Sequence, residues 1–167
     1  TEVIRCAIRS KGGGAMRVLG LIGLVSLLAG CASTVADSQL DTEAKLFREP
    51  ADKACIYIAP TRGLTDVVIR VDGRKVATLA DQYYLRLEVA PGRHTLAAIP
   101  SSVMPTMFRD TARDVTLEAA AGQCYYFHTL WTDDPSGLRE RRVALEQLSE
   151  SAGQRAVNVL WLMLPSK

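Results

Sequence analysis

Few side chains in this chain of 167 residues can do chemistry, and their spacing limits what that chemistry is. Four cysteines stand at positions 6, 31, 55 and 124, and two histidines at 94 and 128. No CxxC pair or Cys/His spacing suits zinc. Neither histidine comes with a serine elbow, so any Ser/His/Asp or Cys/His set must be assembled from unrelated loops. His94, in PGRHT, reads as a structural residue beside a turn, and His128 as a half-buried strand residue. Asp133 and Asp134 are neighbours on a loop, where adjacent carboxylates diverge into solvent. KGGG (11–14) lacks the spacing of a phosphate loop. No catalytic residue, metal ligand or cofactor follows from these patterns. The remaining chemical group is the thiol of Cys31, at the end of LAGC (Leu28, Ala29, Gly30, Cys31).

That thiol closes an apolar run. Arg17 follows Met16, and Val18 to Leu28 is apolar apart from glycines and Ser26. A bilayer-spanning helix needs about 20 apolar residues. This run is shorter and has the proportions of a secretory signal. With LAGC at its end, residues 16–30 resemble a bacterial lipoprotein signal peptide with its lipobox. The resemblance implies a diacylglyceryl group on the Cys31 thiol and cleavage before Cys31. The small residues Ala29 and Gly30 let the backbone enter the peptidase, and Leu28 fills an apolar pocket. Two or three acyl chains, at about 0.8 kcal/mol per buried CH₂, anchor a protein permanently where one chain does not. Ala32 and Ser33 follow the cysteine, where the enterobacterial sorting rule places Asp to retain a protein in the inner membrane. The resemblance therefore implies the periplasmic face of the outer membrane. Residues 1–15 then read as an upstream preface that is not native, or else as an extended n-region, which their basic residues permit.

Removing this segment changes the charge. Of 20 basic and 18 acidic side chains, Arg5, Arg9, Lys11, Arg17 and Glu2 precede Cys31, which leaves 16 against 17. A near-neutral remainder carries no electrostatic footprint for nucleic acid. Export also bears on Cys55 and Cys124, the two cysteines left in the mature chain. In an oxidising compartment a single structural disulfide between them is the natural inference. Two separate buried thiols are the other arrangement the sequence permits.

The elements that would position these residues are β-strands. A composition of 48% hydrophobic and 23% charged residues is that of a globular protein, not a disordered one. Residues 31–52 read as the lipidated cysteine and a flexible tether, with a brief helical turn around Asp41 to Phe47. The domain follows over 53–164. Strand-like runs occupy 55–59, 65–71, 74–79, 83–89, 93–99, 114–118 and 123–131. Asp72-Gly73 signals a type I′ hairpin, and Pro91-Gly92 suits a type II turn. Residues 100–109 hold two prolines and are irregular. RRVALEQL (141–148) fits a strand or a helix start. Ser149 can cap a terminal helix through Ala156, followed by the apolar VNVLWLML. The expectation is an all-β antiparallel sandwich of about seven strands with a short C-terminal helix.

In YYLRLEV, Tyr83, Leu85, Leu87 and Val89 face one way and Tyr84, Arg86 and Glu88 the other. Tyr84 with Tyr125 and Phe127, or the reverse set, would make an exposed aromatic surface. Burial beneath the tether or the terminal helix is the alternative.

Five segments, ACIYIAP, VDGRKVATL, YYLRLEVAPGRHTL, LEAAAGQCYYF and ALEQLSESAGQRAV, occur in an order similar to the small bacterial lipoproteins grouped as domain of unknown function 2846. The similarity covers roughly residues 53–157. Its most specific pieces are Asp72-Gly73, Pro91-Gly92-Arg93-His94 and Gly122-Gln123-Cys124-Tyr125-Tyr126. The VDG…PG-x-H core also resembles PEGA-type and transthyretin-like sandwiches. One departure is Ala59, where the family usually has an arginine before the proline. The family brings no known activity. The resulting expectation is a non-enzymatic binding or structural module of the cell envelope, held to the membrane by its lipid and engaging an envelope protein. A glycan or small-ligand binder using exposed tyrosines is the alternative. A cell-wall hydrolase with His94 or His128 as general base is the third reading.

Overall fold

The computed structural model describes residues 35–61, 63, 66–101, 114–133 and 141–166. The signal-like segment, the lipobox and Cys31 lie outside them, as do most of the irregular 100–109 stretch and the carboxylate Asp134. The described chain is an all-β sandwich of nine strands with two short helices. In chain order these are α1 (Ser38–Ala44), β1 (Ala54–Ala59), β2 (Val67–Val71), β3 (Arg74–Leu79), β4 (Tyr83–Val89), β5 (Gly92–Pro100), β6 (Val115–Ala119), β7 (Cys124–Asp133), β8 (Arg141–Leu148), α2 (Glu150–Asn158) and β9 (Trp161–Met163).

One sheet runs β8-β7-β1-β4-β9 and the other β3-β2-β5-β6. The four-stranded sheet is antiparallel throughout. The five-stranded sheet is mixed, because β1 pairs in parallel with β7 and β4 in parallel with β9. The expected all-β sandwich with a C-terminal helix is present, but with nine strands rather than about seven and with one sheet mixed rather than antiparallel. Tight turns favour antiparallel neighbours, but they say nothing about partners distant in sequence, and both parallel pairs are of that kind. The strand β9 is three residues long and follows directly on a helix, where an apolar run has no readable period. The ambiguous segment 141–148 is a strand, paired with β7 from Asp133↔Arg141 to Tyr126↔Leu148.

Local chemistry sets the strand ends. Asp72 and Gly73 have φ of 51° and 76°, the left-handed pair that a type I′ hairpin needs between β2 and β3. At Pro91-Gly92 the chain crosses from β4 in one sheet to β5 in the other. Gly92 has φ 134°, well away from the third residue of the expected type II turn. The helix α2 starts as the sequence suggests: the Ser149 hydroxyl accepts from the Ala152 amide.

Two apolar clusters divide the molecule into three layers. Between the sheets lie Ile56, Ile58, Leu85, Leu87 and Phe127 from one, against Val67, Ile69, Leu96 and Leu117 from the other. On the outer face of the five-stranded sheet lie Cys55, Tyr57, Ala59, Tyr84 and Tyr126, with Val157, Leu160 and Leu162 over them. The central strand β1 is consequently buried on both faces, which explains why ACIYIA is apolar without alternation.

The N-terminal segment completes this outer layer. The expected flexible tether over 31–52 does not describe residues 35–47, which are packed onto the sheet. Val35 bridges Met163, and the Ala36 amide donates to the Leu162 carbonyl at 3.0 Å. Asp37 caps α1 by accepting from the Gln39 and Leu40 amides. Asp41 is buried and accepts from the Leu162 amide at 2.9 Å and the Lys45 ammonium at 2.8 Å. The physical reason is that the sheet's outer face is aromatic and must be covered.

Two predictions follow from this packing. A Cβ at Gly153 would lie 2.3 Å from Tyr126 Cβ and Cγ. Gly153→Ala should therefore destabilise the domain by about 1–3 kcal/mol, the cost of overpacking, despite alanine's better helix propensity. Urea denaturation measures this, and unchanged or raised stability would refute the contact. Cys55 and Cys124 form a disulfide closing 69 residues of sequence. Removing it in a Cys55→Ala/Cys124→Ala variant should cost about 4 kcal/mol on the chain-entropy model, read as a fall in Tm.

Candidate functional site

The register of β1 with its neighbours decides what the aromatic residues do. Tyr57 on β1 lies opposite Tyr126 on β7 and opposite Arg86 on β4. Tyr84 is two residues from Arg86 and so shares that face. The three rings form a row: Tyr57 and Tyr126 stack at 5.1 Å and 12°, and Tyr57 and Tyr84 at 6.2 Å and 26°. Phe47 tilts over Tyr57 and Tyr126 at 5.4 and 6.2 Å. The Tyr57 hydroxyl donates to the Ala44 carbonyl at 2.8 Å and accepts from Arg86 Nε at 3.1 Å. Burial pushes the phenols of Tyr57, Tyr84 and Tyr126 above their ordinary value, so all three stay neutral.

This overturns the exposed surface expected from Tyr84, Tyr125 and Phe127. Tyr84 and Phe127 are both buried, on opposite faces of the sheet. Tyr125 is half-buried on the sandwich side, its hydroxyl donating to the Glu118 carbonyl and accepting from the Ala120 amide. Sequence alternation separates the faces of each strand but does not state which faces coincide across the sheet. Of the cluster's other members, Tyr126 belongs to the reverse set, while Tyr57 and Phe47 carried no signal beyond being aromatic.

Cys55 and Cys124 are direct partners across β1 and β7, with Cα atoms 4.5 Å apart. The Cys55 amide donates to the Gln123 carbonyl, and the Gly122 amide to the Lys53 carbonyl, continuing the pairing around the bridge. Gly122 has φ 73°, which the turn before β7 requires.

The turn residues Asp72, Gly73, Pro91, Gly92 and His94 converge at one end of the sandwich. His94 Nδ1 lies 2.8 Å from Asp72 Oδ2, and Nε2 lies 2.8 Å from the Ala90 carbonyl. Asp72 Oδ1 accepts from the Thr95 amide at 2.9 Å, while the Asp72 amide donates to the Thr95 carbonyl. His94 thus ties the hairpin at Asp72 to the crossover at Pro91. Both of its nitrogens face acceptors, an arrangement that only the imidazolium satisfies with two donated bonds. The Asp72 carboxylate, then the Ala90 carbonyl, hold the imidazole above its ordinary value. The Thr95 amide, then His94, hold the Asp72 carboxyl below its own. At a distance from this knot, His128 Nε2 pairs with Glu146 Oε2 across β7 and β8 at 2.9 Å.

A groove of about 550 Å³ lies beside α1. It is lined by Leu40, Glu43, Ala44, Leu46, Arg48, Arg86, Leu162 and Leu164. Arg86 is committed to Tyr57 and to Glu88, which it holds below the usual carboxylate range. Among the described residues no group of three or more His, Cys, Asp or Glu side chains is placed to hold a metal ion. No described helix is long and apolar enough to cross a membrane. No protein-family model, curated protein or solved structure matches the chain.

The His94–Asp72 pair predicts a pH dependence with a definite sign. The histidine contribution is complete below about pH 6.5, the ordinary value of an imidazole, and is lost as pH rises through the raised folded value. The aspartate contribution is present above about pH 3.8 and is lost as pH falls through the lowered folded value. Stability from the pair should peak between these limits and decline on the alkaline side. The difference in unfolding free energy between the native protein and a His94→Gln variant, measured from pH 5 to 9, should shrink with rising pH. A constant difference would exclude the ion pair.

Proposed function

We propose that this protein is a lipid-anchored envelope lipoprotein whose sandwich domain is a non-enzymatic module that holds an envelope partner. The observation that carries the reading is LAGC at residues 28–31, behind a short basic and apolar segment. The Cys55–Cys124 disulfide supports it independently, because such bridges belong to exported proteins. The motif resemblance to the domain of unknown function 2846 lipoproteins points the same way. So does Ala32-Ser33 after the cysteine, the basis for placing the protein on the periplasmic face of the outer membrane.

Several features favour a binding or structural role over hydrolysis. His94 is held between two acceptors at a turn, and His128 is paired on a strand surface. Among the described residues neither has a serine or cysteine nucleophile as a hydrogen-bond partner. Glycan binding through stacked tyrosines loses its basis, since the tyrosine row is covered by the N-terminal segment and α2.

Metabolic labelling with a clickable palmitate analogue in a bacterial host should mark the native protein and fail with Cys31→Ser. The Cys31→Ser protein should also leave the membrane fraction. Equal labelling of both proteins would sink the anchor reading. Photo-crosslinking in intact cells then identifies the partner.

A further inference from the structure

Five large apolar side chains among the described residues are exposed, and all border one strand. Val35, Leu40, Leu46, Val159 and Trp161 have 42 to 68% of their surface open to solvent. Val35 bridges Met163 of β9. Leu40 and Leu46 share the groove beside α1 with Leu162 and Leu164. Val159 and Trp161 form the corner where α2 turns into β9. The helix α1 is fixed to the same strand, with Lys45 Nζ donating to the Leu160 carbonyl at 2.6 Å and lying 5.6 Å from the Trp161 ring centre. The described residues of the four-stranded sheet expose no comparable side chain. Apolar exposure confined to one region marks a contact surface.

Chain length points to what covers it. Val35 follows Cys31 by four residues, so their Cα atoms are within about 14 Å even at full extension. If Cys31 carries lipid, the β9 edge cannot be far from the bilayer surface. We propose that this edge docks on the membrane, with Trp161, Val159, Val35, Leu40 and Leu46 entering the interfacial layer. The proposal rests on the lipid-anchored reading above. Tryptophan suits that layer, where its ring is half in hydrocarbon and its N–H reaches water. Charge does not draw this segment to lipid, since Lys45 and Arg48 are outnumbered by Asp37, Asp41, Glu43 and Glu49. Docking is therefore apolar and indifferent to salt. It holds the sandwich in one orientation, with the end carrying β9 and α1 on the lipid.

The test uses the lipidated full chain in phosphatidylcholine vesicles, with Trp131→Phe leaving Trp161 as its tryptophan. Bromine placed near the glycerol backbone of the lipid should quench Trp161 and its emission should shift to the blue, equally at low and high salt. Leu46→Asp and Val159→Asp, both at exposed positions, should reduce the quenching while the protein still floats with the vesicles. Flotation with Trp161 open to aqueous iodide and blind to bromine overturns the docking and leaves the anchor standing. So does cross-linking through Trp161 to a second copy, which assigns the surface to self-association. Failure of the intact Cys31 protein to float overturns the anchor, and the docking with it.

Discussion

The central strand β1 has no solvent face, and the architecture follows from that constraint. Its even and odd side chains each need an apolar partner layer. Ile56 and Ile58 find theirs in the opposing sheet, Cys55, Tyr57 and Ala59 in the N-terminal segment and α2. A two-layer sandwich would leave the tyrosine row in water, with three rings stranded on one face. The third layer removes that surface from solvent at about 25 cal/mol for each Å² of apolar area buried. Polar groups within it are matched one by one: the Tyr57 hydroxyl to Ala44 and Arg86, and Asp41 to Leu162 and Lys45. An unpaired donor or acceptor at such depth costs about 1–3 kcal/mol. Residues 35–47 are thereby drawn into the fold.

One end of the sandwich is held by two different means. Near the start of β1 the disulfide joins strands that only tertiary pairing makes neighbours. At the same end, Asp72 serves the β2–β3 turn through its backbone conformation and the crossover through its carboxylate. A residue chosen for a type I′ turn thus also supplies the charge that orders His94. This double use accounts for the VDG and PG-x-H pieces occurring together in the sequence without invoking catalysis.

Much of the strand layout was legible in the sequence, because turn chemistry and alternation are local. Asp72-Gly73, the YYLRLEV alternation and the Ser149 cap all lie where the structure has them. Segment 141–148 was undecidable, since Val143, Leu145 and Leu148 satisfy either period until β7 pairs with them. The candidate site was less legible. Tyr84 and Phe127 look alike as aromatic members of alternating strands, yet they face opposite layers, and neither is exposed.

Sequence alone determined the Asp72-Gly73 hairpin, the Ser149 cap and the separate faces of each strand, since each depends on residues a few positions apart. Tertiary structure decided which faces coincide. The relation between β4 and β7 passes through the register of β1 with both, and no local pattern encodes it. It also decided that residues 35–47 are a covering layer for the tyrosine row. A polar segment is drawn onto the domain only when the folded sheet presents an aromatic face that water cannot satisfy.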